Sequence, residues 1–467
     1  MLNKKRTKIV STLGPATQGE EQIKALIEAG VNVFRLNFSH GSHEYHQSSI
    51  DMIRKVEKEI HANVSILGDL CGPKIRIGII EPMDLVKDKV YTICASSEYD
   101  SFEDKSDVIP ISYERIHNDV KVGERIFIAD GVRLLEVVED GEIVRAIAKT
   151  TGGISSRKGV NFPDSDLKIG AVSEKDLSDL EFMLTQSVDW IALSFVMRAS
   201  DINPIRAAFN KAGKTIPVIA KIEKNEAVDD INNIIREFDG LMVARGDLGI
   251  EVPIERLPII QRDLIAVARQ HAKPVIVATQ MLESMIENPI PTRAEVSDVA
   301  NAILNGADAI MLSGETAMGA YPIEAVEMMT KICHKMEPEF VNLIKVDKVG
   351  VTEAVAKATS SIVEDLEIKT IVTSSLSGYT VAEISARRTK PHILAFSPNE
   401  STVKKLNLYR SVYPNLIPYT NDDLVLFKSI EKFIHSEKIL AEGDVFIYTS
   451  GKPGKSGTSN VIKIVTV

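Results

Sequence analysis

The sequence predicts a mixed α/β protein built on a barrel of parallel strands, and three observations lead to this. Short apolar runs of strand length alternate with helix-like segments along most of the 467 residues. These runs are apolar almost throughout, which is typical of parallel strands buried on both faces. Several runs also end in charged or hydroxyl-bearing residues, and the carboxyl ends of the strands in a (β/α)8 barrel carry its active site.

The first part of the chain supplies three strands. The runs TKIVST, VNVFRLNFS and VSILGDL predict them, with helices expected at about 20–29 and 43–61. From about residue 72 the pattern changes to short β-type runs separated by turns. These runs are KIRIGII, KVYTICA, ERIFIAD, RLLEVVE and EIVRAIAKT. We therefore expect a small all-β domain inserted into the barrel, with its two ends close together.

Five further strands complete the barrel. Ser173, with Asp176 three residues later, predicts the start of a helix. The five strands that follow are predicted from WIALSF, PVIAKIE, GLMVARGD, PVIVATQM and AIMLSGE. The count is eight strands, three before the insertion and five after it. From about residue 346 another α/β segment begins, with a helix near 352–366 and strands such as TIVTSS, HILAFSP, DVFIYTS and NVIKIVTV.

Composition and charge exclude several classes of function. The net charge is −10, whereas general nucleic-acid binding needs a basic surface. Three widely spaced cysteines without a CxxC motif favour reduced thiols in the cytosol. The N-terminus has no apolar stretch typical of a signal peptide, and no run of about 18 apolar residues predicts a membrane span. We expect a cytoplasmic protein that binds neither nucleic acid nor membrane.

Polar side chains alternate along two of the predicted strands, where they would share a face. Arg35, Asn37 and Ser39 alternate in one run, and Lys221 and Glu223 alternate in another. A buried network of salt bridges is one explanation. Charged residues are seldom buried without a reason, however, and here they recur at several strand ends. The sequence therefore favours a pocket rich in carboxylates, cations and hydroxyls.

Four of the strand-end residues suggest charge-stabilising chemistry. Glu223 and Asp247 would suit Mg2+, which proteins typically hold by one or two carboxylates while water and substrate phosphate complete the shell. Lys221 cannot bind a metal while protonated, but it can stabilise a developing oxyanion or a transferring phosphoryl group. Arg35 offers a fork of donors suited to phosphate.

Two segments near the C-terminus are candidates for binding an anion. Ser375, Ser377, Gly378 and Thr380 lie where a predicted helix begins, and free N–H groups there favour phosphate, although ordinary N-capping explains them equally well. The segment SGKPGKSG, residues 450–457, resembles a P-loop. It has two residues instead of four between its glycines, and a strand follows it. It is therefore not predicted to be a Walker A site.

Longer segments resemble the pyruvate kinase family over essentially the whole chain. They are KIVSTLGPAT, VFRLNFSHG, GPKIRIG, KGVNFP, VSEKD, AKIEKNEA, VARGDLGIE, VIVATQMLESM, PTRAEVSDVANAILNGADAIMLSGETA and YPIEAV. The resemblance implies a TIM-barrel A domain over residues 1–70 and 168–345, a β-barrel B domain acting as a lid over 71–167, and a C-terminal α/β domain over 346–467. It implies phosphoryl transfer from phosphoenolpyruvate to ADP, which yields pyruvate and ATP in the final step of glycolysis.

The resemblance also implies roles for individual residues that match the motifs of the family. The implied phosphoenolpyruvate contacts are Arg35, Lys221, Gly246, Asp247 and Thr279. The implied ligands of Mg2+, or of Mn2+ in its place, are Glu223 and Asp247. The implied catalytic residues are Lys221, which stabilises the transition state and the enolate, and Thr279 and Ser313, which relay a proton. The implied nucleotide contacts are Arg76, Lys158, His40 and Asn37.

One departure from the family pattern concerns its monovalent cation. Members that need K+ carry a glutamate where Lys74 stands and a threonine where Leu70 stands. The pocket would be formed by Asn37, Ser39, Asp69, Leu70 and Lys74. A fixed ammonium at Lys74 can place positive charge where K+ would otherwise sit. We therefore expect that K+ is not required.

The resemblance further implies a phosphorylated effector, bound by the loop of Ser375, Ser377, Gly378 and Thr380 together with residues 450–460, and a homotetramer. Two alternative functions stay open at this point. Metal-dependent lyases that form a pyruvate enolate use similar barrels and similar charged residues, but they do not depend on ADP. A non-catalytic relative that only binds an effector would be expected to lack a charged pocket residue.

Overall fold

The first three barrel strands and two intervening helices form the N-terminal part of the fold. The computed structural model describes residues 5–346, 350–451 and 457–467. These first elements are β1 (Lys8–Thr12), α1 (Glu20–Ala29), β2 (Val33–Asn37), α2 (His43–Glu59) and β3 (Ser65–Asp69). Both helices start and end within two residues of the predicted positions.

After β3 the chain leaves the barrel and forms a strand-rich region with its own apolar core. Its elements are β4 (Met83–Leu85), β5 (Val90–Ala95), β6 (Val108–Ile111), α3 (Ile116–Asp119), β7 (Arg125–Ile128), β8 (Arg133–Glu139), β9 (Val144–Ala148), β10 (Gly152–Ile154) and β11 (Val160–Asn161). Six strands pair in the order β11-β7-β8-β9-β5-β6, and β10 pairs with β4. The predicted all-β insertion is confirmed.

One predicted strand of the insertion is wrong. The run KIRIGII, residues 74–80, forms only two isolated bridges, from Arg76 to Gly159 and from Ile77 to Ile111. These two neighbouring residues pair with different segments, so no continuous ladder forms. The run has the composition of a strand, and three of its isoleucines pack into the apolar core of the insertion without joining a strand ladder.

The chain then returns and completes the barrel. The returning elements are α4 (Glu174–Thr185), β12 (Trp190–Leu193), α5 (Asn203–Ala212), β13 (Val218–Ile222), α6 (Asn225–Asp229), α7 (Ile231–Glu237), β14 (Gly240–Ala244), α8 (Arg245–Glu251), α9 (Leu257–Gln270), β15 (Val275–Ala278), α10 (Arg293–Leu304), β16 (Ala309–Leu312), α11 (Gly314–Ala317) and α12 (Pro322–Met336). The barrel closes in the order β1-β16-β15-β14-β13-β12-β3-β2, with every neighbouring pair parallel. The predicted eight-stranded barrel is confirmed.

The C-terminal part forms a second α/β unit around a five-stranded sheet. Its elements are α13 (Val351–Asp365), β17 (Thr370–Ser374), α14 (Tyr379–Ala386), β18 (His392–Ser397), α15 (Glu400–Leu406), β19 (Val412–Leu416), α16 (Asp423–Ser436), β20 (Val445–Gly451) and β21 (Ser459–Thr466). The order is β19-β18-β17-β20-β21, with only the β20–β21 pair antiparallel. Residues 452–456 of the segment SGKPGKSG lie outside the described residues. No helix in the described ranges is long and apolar enough to cross a membrane.

A buried carboxylate joins the barrel to the C-terminal unit. Asp308, just before β16, lies 2.6 Å from an Nη of Arg388 and accepts a hydrogen bond of 3.0 Å from the backbone N–H of Arg410. It also accepts from the N–H of Val275 at the start of β15. Asp308 and Arg388 are both almost completely buried. Removing one partner of such a pair leaves the other charge without compensation.

We therefore predict that Asp308→Ala lowers the free energy of unfolding by about 3–5 kcal/mol. Urea denaturation of the purified protein would measure this loss. Asp263→Ala is a matched control, because Asp263 pairs with Arg262 on the surface, where both side chains are more than half exposed. This control should change stability by less than about 1 kcal/mol. Equal losses in the two variants would contradict the structural role of Asp308.

Candidate active site

The polar residues predicted at strand ends meet at one end of the barrel because the strands are parallel and in register. Asn37 on β2 lies beside Asp69 on β3. Asp69 in turn lies beside Ala192, two residues before Ser194, and Lys221 lies next to Met242 on β14. The carboxyl ends of neighbouring strands therefore present these side chains to one shared space.

Asp69 lies at the centre of the charged cluster. Its Oδ2 is 2.6 Å from Arg35 Nε, and its Oδ1 is 3.3 Å from Lys221 Nζ. Arg35 also donates to the Thr12 hydroxyl over 3.1 Å. Burial alone would raise the pKa of Asp69, but Lys221 and Arg35 together hold that pKa below its usual value. Asp69 therefore stays ionised and holds both cations in place.

Lys221 is surrounded by groups that favour its charged form. Besides Asp69, its Nζ lies 3.1 Å from Glu223 Oε1 and donates to Ser194 Oγ over 2.7 Å. Burial acts to lower the pKa of Lys221, and the carboxylates of Asp69 and Glu223 outweigh it, so that the pKa is raised. The site thus holds a permanent ammonium in a fixed position.

Two carboxylates next to Lys221 can hold a divalent cation. Glu223 is buried, and its Oε2 accepts a hydrogen bond of 2.8 Å from Phe195 N–H. Burial raises the pKa of Glu223; Lys221 opposes this and the neighbouring Asp247 carboxylate adds to it. Across the described ranges, no group of three or more His, Cys, Asp or Glu side chains is arranged so that it could hold a metal ion. Two hard oxygen ligands without nitrogen or sulfur suit Mg2+, whose remaining ligands are usually water and substrate.

Gly246 and Thr279 are brought together by a strained turn. Gly246 N–H donates to Thr279 Oγ1 over 2.8 Å, and Thr279 has a φ of +69°, which is unusual for a β-branched residue. Arg245 holds this turn, because its guanidinium donates to Thr279 O over 2.6 Å and pairs with Asp298. Strain of this kind persists only when neighbouring contacts impose it, and it is common at functional sites.

Ser313 follows β16 and has an unused hydroxyl. Its backbone N–H donates to Glu315 Oε2 over 2.7 Å. The Ser313 Oγ is buried but has no hydrogen-bond partner among the residues that the structure describes. A buried hydroxyl without a partner is costly, so it is suited to contact a bound molecule.

The residues proposed for nucleotide and K+ lie on two different parts of the fold. His40 is exposed beyond β2, where Ser39 N–H donates to Asn37 Oδ1 over 3.2 Å. Arg76 and Lys158 lie in the insertion, on segments joined by the bridge from Arg76 to Gly159. The roles of these residues in binding the nucleotide and K+ remain predictions.

Lys74 and Leu70 are both engaged within the fold. The Lys74 ammonium lies 3.4 Å from Asp247 Oδ1, which brings a residue of the insertion against a barrel carboxylate. The Leu70 side chain is buried, and its carbonyl accepts a hydrogen bond of 2.7 Å from Ser194 Oγ. Because the Leu70 side chain is a hydrocarbon, it offers no oxygen to a cation.

The proposed effector loop precedes α14. Gly378 N–H donates to Ser375 Oγ over 3.0 Å, and the hydroxyls of Thr380 and Ser459 contact each other. Thr380 is buried, whereas Ser377 is exposed. Gly378 is the N-cap of α14 and the helix has no side-chain cap among the described residues, so the bond to Ser375 belongs to the loop before it. The role of the loop in binding phosphate remains a prediction.

Sequence reasoning missed four residues that organise the site: Thr12, Ser194, Arg245 and Asp298. Ser194 lies next to the last residue of the run WIALSF, near a strand end like the other site residues, and this signal could have identified it. Arg245 and Asp298 are 53 residues apart in the chain, so only the fold brings them together.

Comparison with known proteins is consistent with this fold and site. The protein-family model described as "Pyruvate kinase, barrel domain" matches residues 4–326, and the one described as "Pyruvate kinase, alpha/beta domain" matches residues 353–465. Similar relatives include pyruvate kinase 2 of Synechocystis, 42% identical over 99% of this chain and 79% of the relative. The pyruvate kinases of Thermotoga maritima and Clostridium acetobutylicum are each 39% identical, with 99% of both chains covered.

The barrel, its charged site and these relatives define an enzyme of the transferase class, a phosphotransferase. The chain belongs to the pyruvate kinase family, whose barrel and α/β domains both match it. The lyase and the non-catalytic alternatives are not favoured, since the relatives that match over nearly the full chain are pyruvate kinases.

We predict that Ser194→Ala lowers kcat of the pyruvate kinase reaction about 10- to 100-fold, since a hydrogen bond to a charged group is worth about 1.5–3 kcal/mol. The variant removes the Oγ that contacts Lys221. Ser11→Ala is the control, because Ser11 is a buried strand serine whose hydroxyl has no partner within the described part of the chain. Steady-state kinetics of both variants would test this, and equal kcat values would contradict it.

Proposed function

We propose that this chain transfers the phosphoryl group of phosphoenolpyruvate to ADP at the carboxyl end of the barrel, as the final step of glycolysis. The observation that carries this proposal is the Lys221 ammonium, held within 3.3 Å of Asp69 and 3.1 Å of Glu223. Phosphoryl transfer needs positioning and charge stabilisation more than covalent catalysis, and a fixed cation provides both.

Phosphoenolpyruvate would be bound by groups from four strand ends. Arg35 projects its guanidinium toward Asp69 and would direct its remaining donors to the phosphate. The segment of Gly246 and Asp247, with the Thr279 hydroxyl beside it, would receive the carboxylate end. Gly246 supports this, because the absence of a side chain leaves the backbone at the start of α8 open to close approach by the substrate carboxylate.

Glu223 and Asp247 would hold Mg2+, or Mn2+ in its place. When bound, this ion would neutralise negative charge on the reacting phosphoryl group and orient it. The chain contributes the two carboxylates and their fixed geometry. The hydrogen bond from Phe195 N–H to Glu223 keeps that carboxylate turned toward Lys221.

In the reaction, the bond between the phosphorus and the enol oxygen breaks as the β-phosphate oxygen of ADP bonds to the same phosphorus. Lys221 stabilises the negative charge that develops on the transferring group and on the enolate oxygen. The enolate then takes a proton at its methylene carbon and becomes pyruvate. Thr279 and Ser313 would relay that proton, and the Ser313 hydroxyl, which has no hydrogen-bond partner among the described residues, supports this role.

ADP would bind between the barrel and the insertion. Arg76 and Lys158 would reach it from the insertion, and His40 and Asn37 from the end of β2. In this reading, closure of the insertion over the barrel excludes water and so suppresses hydrolysis of the phosphoryl group. The pairing of Lys74 with Asp247 supports this approach of the two parts.

The remaining features of the proposal concern regulation and assembly. A phosphorylated effector would bind at the loop of Ser375, Ser377, Gly378 and Thr380, where backbone N–H groups at the start of α14 can receive a phosphate. The working form would be a homotetramer in the cytoplasm.

The first test is pyruvate formation from phosphoenolpyruvate and ADP with Mg2+. We expect activity in the wild type and a loss of about 1000-fold or more in Lys221→Met, because the variant removes a cation directed at the developing charge. Lys331→Met is the control, since Lys331 is an exposed lysine on α12, and it should retain wild-type activity. A wild type that forms pyruvate without ADP would indicate a lyase instead.

The monovalent cation gives a second test. We expect full activity of the wild type in buffer free of K+, since Lys74 supplies a fixed positive charge. Lys74→Glu should need K+ for activity, and Lys74→Gln should lose activity without rescue by K+, because it supplies neither a cation nor a carboxylate. The assay is a K+ titration of all three proteins at constant ionic strength. A strong K+ requirement of the wild type would overturn this interpretation of Lys74.

A further inference from the structure

The insertion is connected to the barrel through two crossings of the chain. The first crossing, residues 70–73, leaves β3, and the second crossing, residues 168–173, leads into α4. Any movement of the insertion relative to the barrel must occur through these two segments. The groups that hold them together therefore control where the insertion lies above the site.

A single buried carboxylate binds both crossings. Asp176, the third residue of α4, is completely buried. Its Oδ1 accepts a hydrogen bond of 3.0 Å from Gly72 N–H in the first crossing. Its Oδ2 accepts from Ser173 N–H over 2.8 Å and from Ser173 Oγ over 2.5 Å at the end of the second crossing.

The bond from Gly72 exceeds what capping of the helix requires. The capping box of α4 is completed by Ser173 and Asp176 alone. The helix α10 has the same length and the same kind of box, formed by Thr292 and Glu295, and there the oxygen that the box leaves over accepts from Ser284 N–H in the preceding loop. The second oxygen of Asp176 is therefore free of the capping role and serves to hold Gly72.

Gly72 fits tightly against residues that organise the active site. Its φ is +69°, and a Cβ there would lie 2.7 Å from the Phe195 ring and 2.9 Å from Ser194 Cβ. Phe195 N–H donates to Glu223, and Ser194 Oγ accepts from Lys221. The first crossing is thus packed directly on the supports of the proposed metal ligand and of the lysine.

The cationic side chains of Lys74 and Arg76 follow Gly72 within four residues of the chain. Lys74, two residues later, lies 3.4 Å from Asp247. Gly159, the neighbour of Lys158, packs against the Lys74 side chain, and it forms the bridge to Arg76. A shift of Gly72 is therefore expected to move Lys74, and with it the two segments that carry Arg76 and Lys158.

We propose that Asp176 is a positioning residue that joins the two crossings and so sets the place of Lys74, Arg76 and Lys158 above the barrel site. Its effect on catalysis rests on the proposed function, in which Arg76 and Lys158 bind the nucleotide. The chemistry is that of one carboxylate shared by three donors, with one oxygen for each crossing.

Asp176→Asn tests this with almost no change in volume. The amide has one acceptor oxygen, and its NH2 group cannot accept from an N–H. Whichever way the amide turns, either Gly72 or Ser173 loses its acceptor, so the two crossings are no longer bound by the same group. Circular dichroism and thermal melting would establish that the variant folds.

We expect KM for ADP to rise and kcat to fall, with a combined loss in kcat/KM for ADP of about 10- to 100-fold, the scale of a small misplacement of binding groups. KM for phosphoenolpyruvate should change less than KM for ADP, because its proposed contacts lie on barrel strand ends that the two crossings do not carry. Hydrogen exchange measured by mass spectrometry should be faster in peptides covering 70–76 and 168–173, and unchanged in a peptide covering β13.

Ser173→Ala is the matched control, because it removes the capping hydroxyl of α4 but keeps the bond from Gly72 to Asp176. It should leave KM for ADP and exchange at 70–76 as in the wild type. Equal effects of both variants, or a wild-type KM for ADP and wild-type exchange in Asp176→Asn, would overturn the proposal. If the wild type forms no pyruvate, the proposed function fails, and hydrogen exchange alone then decides whether Asp176 joins the crossings.

Discussion

The shared carboxylate of Asp69 is the interaction on which the site depends. A lysine and an arginine cannot be held side by side in a buried space unless a negative charge lies between them, because desolvation and mutual repulsion both oppose it. Asp69 lies between Arg35 and Lys221 at the end of β3 and satisfies this condition. The pairing of β3 with both β2 and β12 places that carboxylate, so the closure of the barrel and the electrostatics of the site are one arrangement.

A second level of organisation lies around the charged residues. The Ser194 hydroxyl joins Lys221 to the carbonyl of Leu70, and the backbone N–H of Phe195 donates a hydrogen bond to Glu223. Arg245 keeps the strained Thr279 turn in place. None of these groups needs to touch a substrate. They restrict the motion of the groups proposed to do so, and such preorganisation is a main source of electrostatic catalysis.

The barrel was predictable from sequence because fully buried parallel strands leave a plain signal of short apolar runs, and the polar residues that end them mark one common edge. The run KIRIGII shows the limit of that signal, since its residues pair with two different segments and form no strand. Contacts such as Arg245 with Asp298, or Gly72 with Asp176, join residues far apart in the chain. No local pattern encodes them, so they could be found only from the fold.

The direct pairing of β3 with β12 bears on how such an architecture arises. The two strands flank the insertion in the chain yet are neighbours in the barrel, so the cylinder closes without any contribution from the residues between them. The insertion has its own apolar core. A folding unit of this kind can be gained, exchanged or lengthened during evolution while the barrel keeps its register. The charged cluster of the barrel and the inserted region are thus separate modules, free to diverge at different rates.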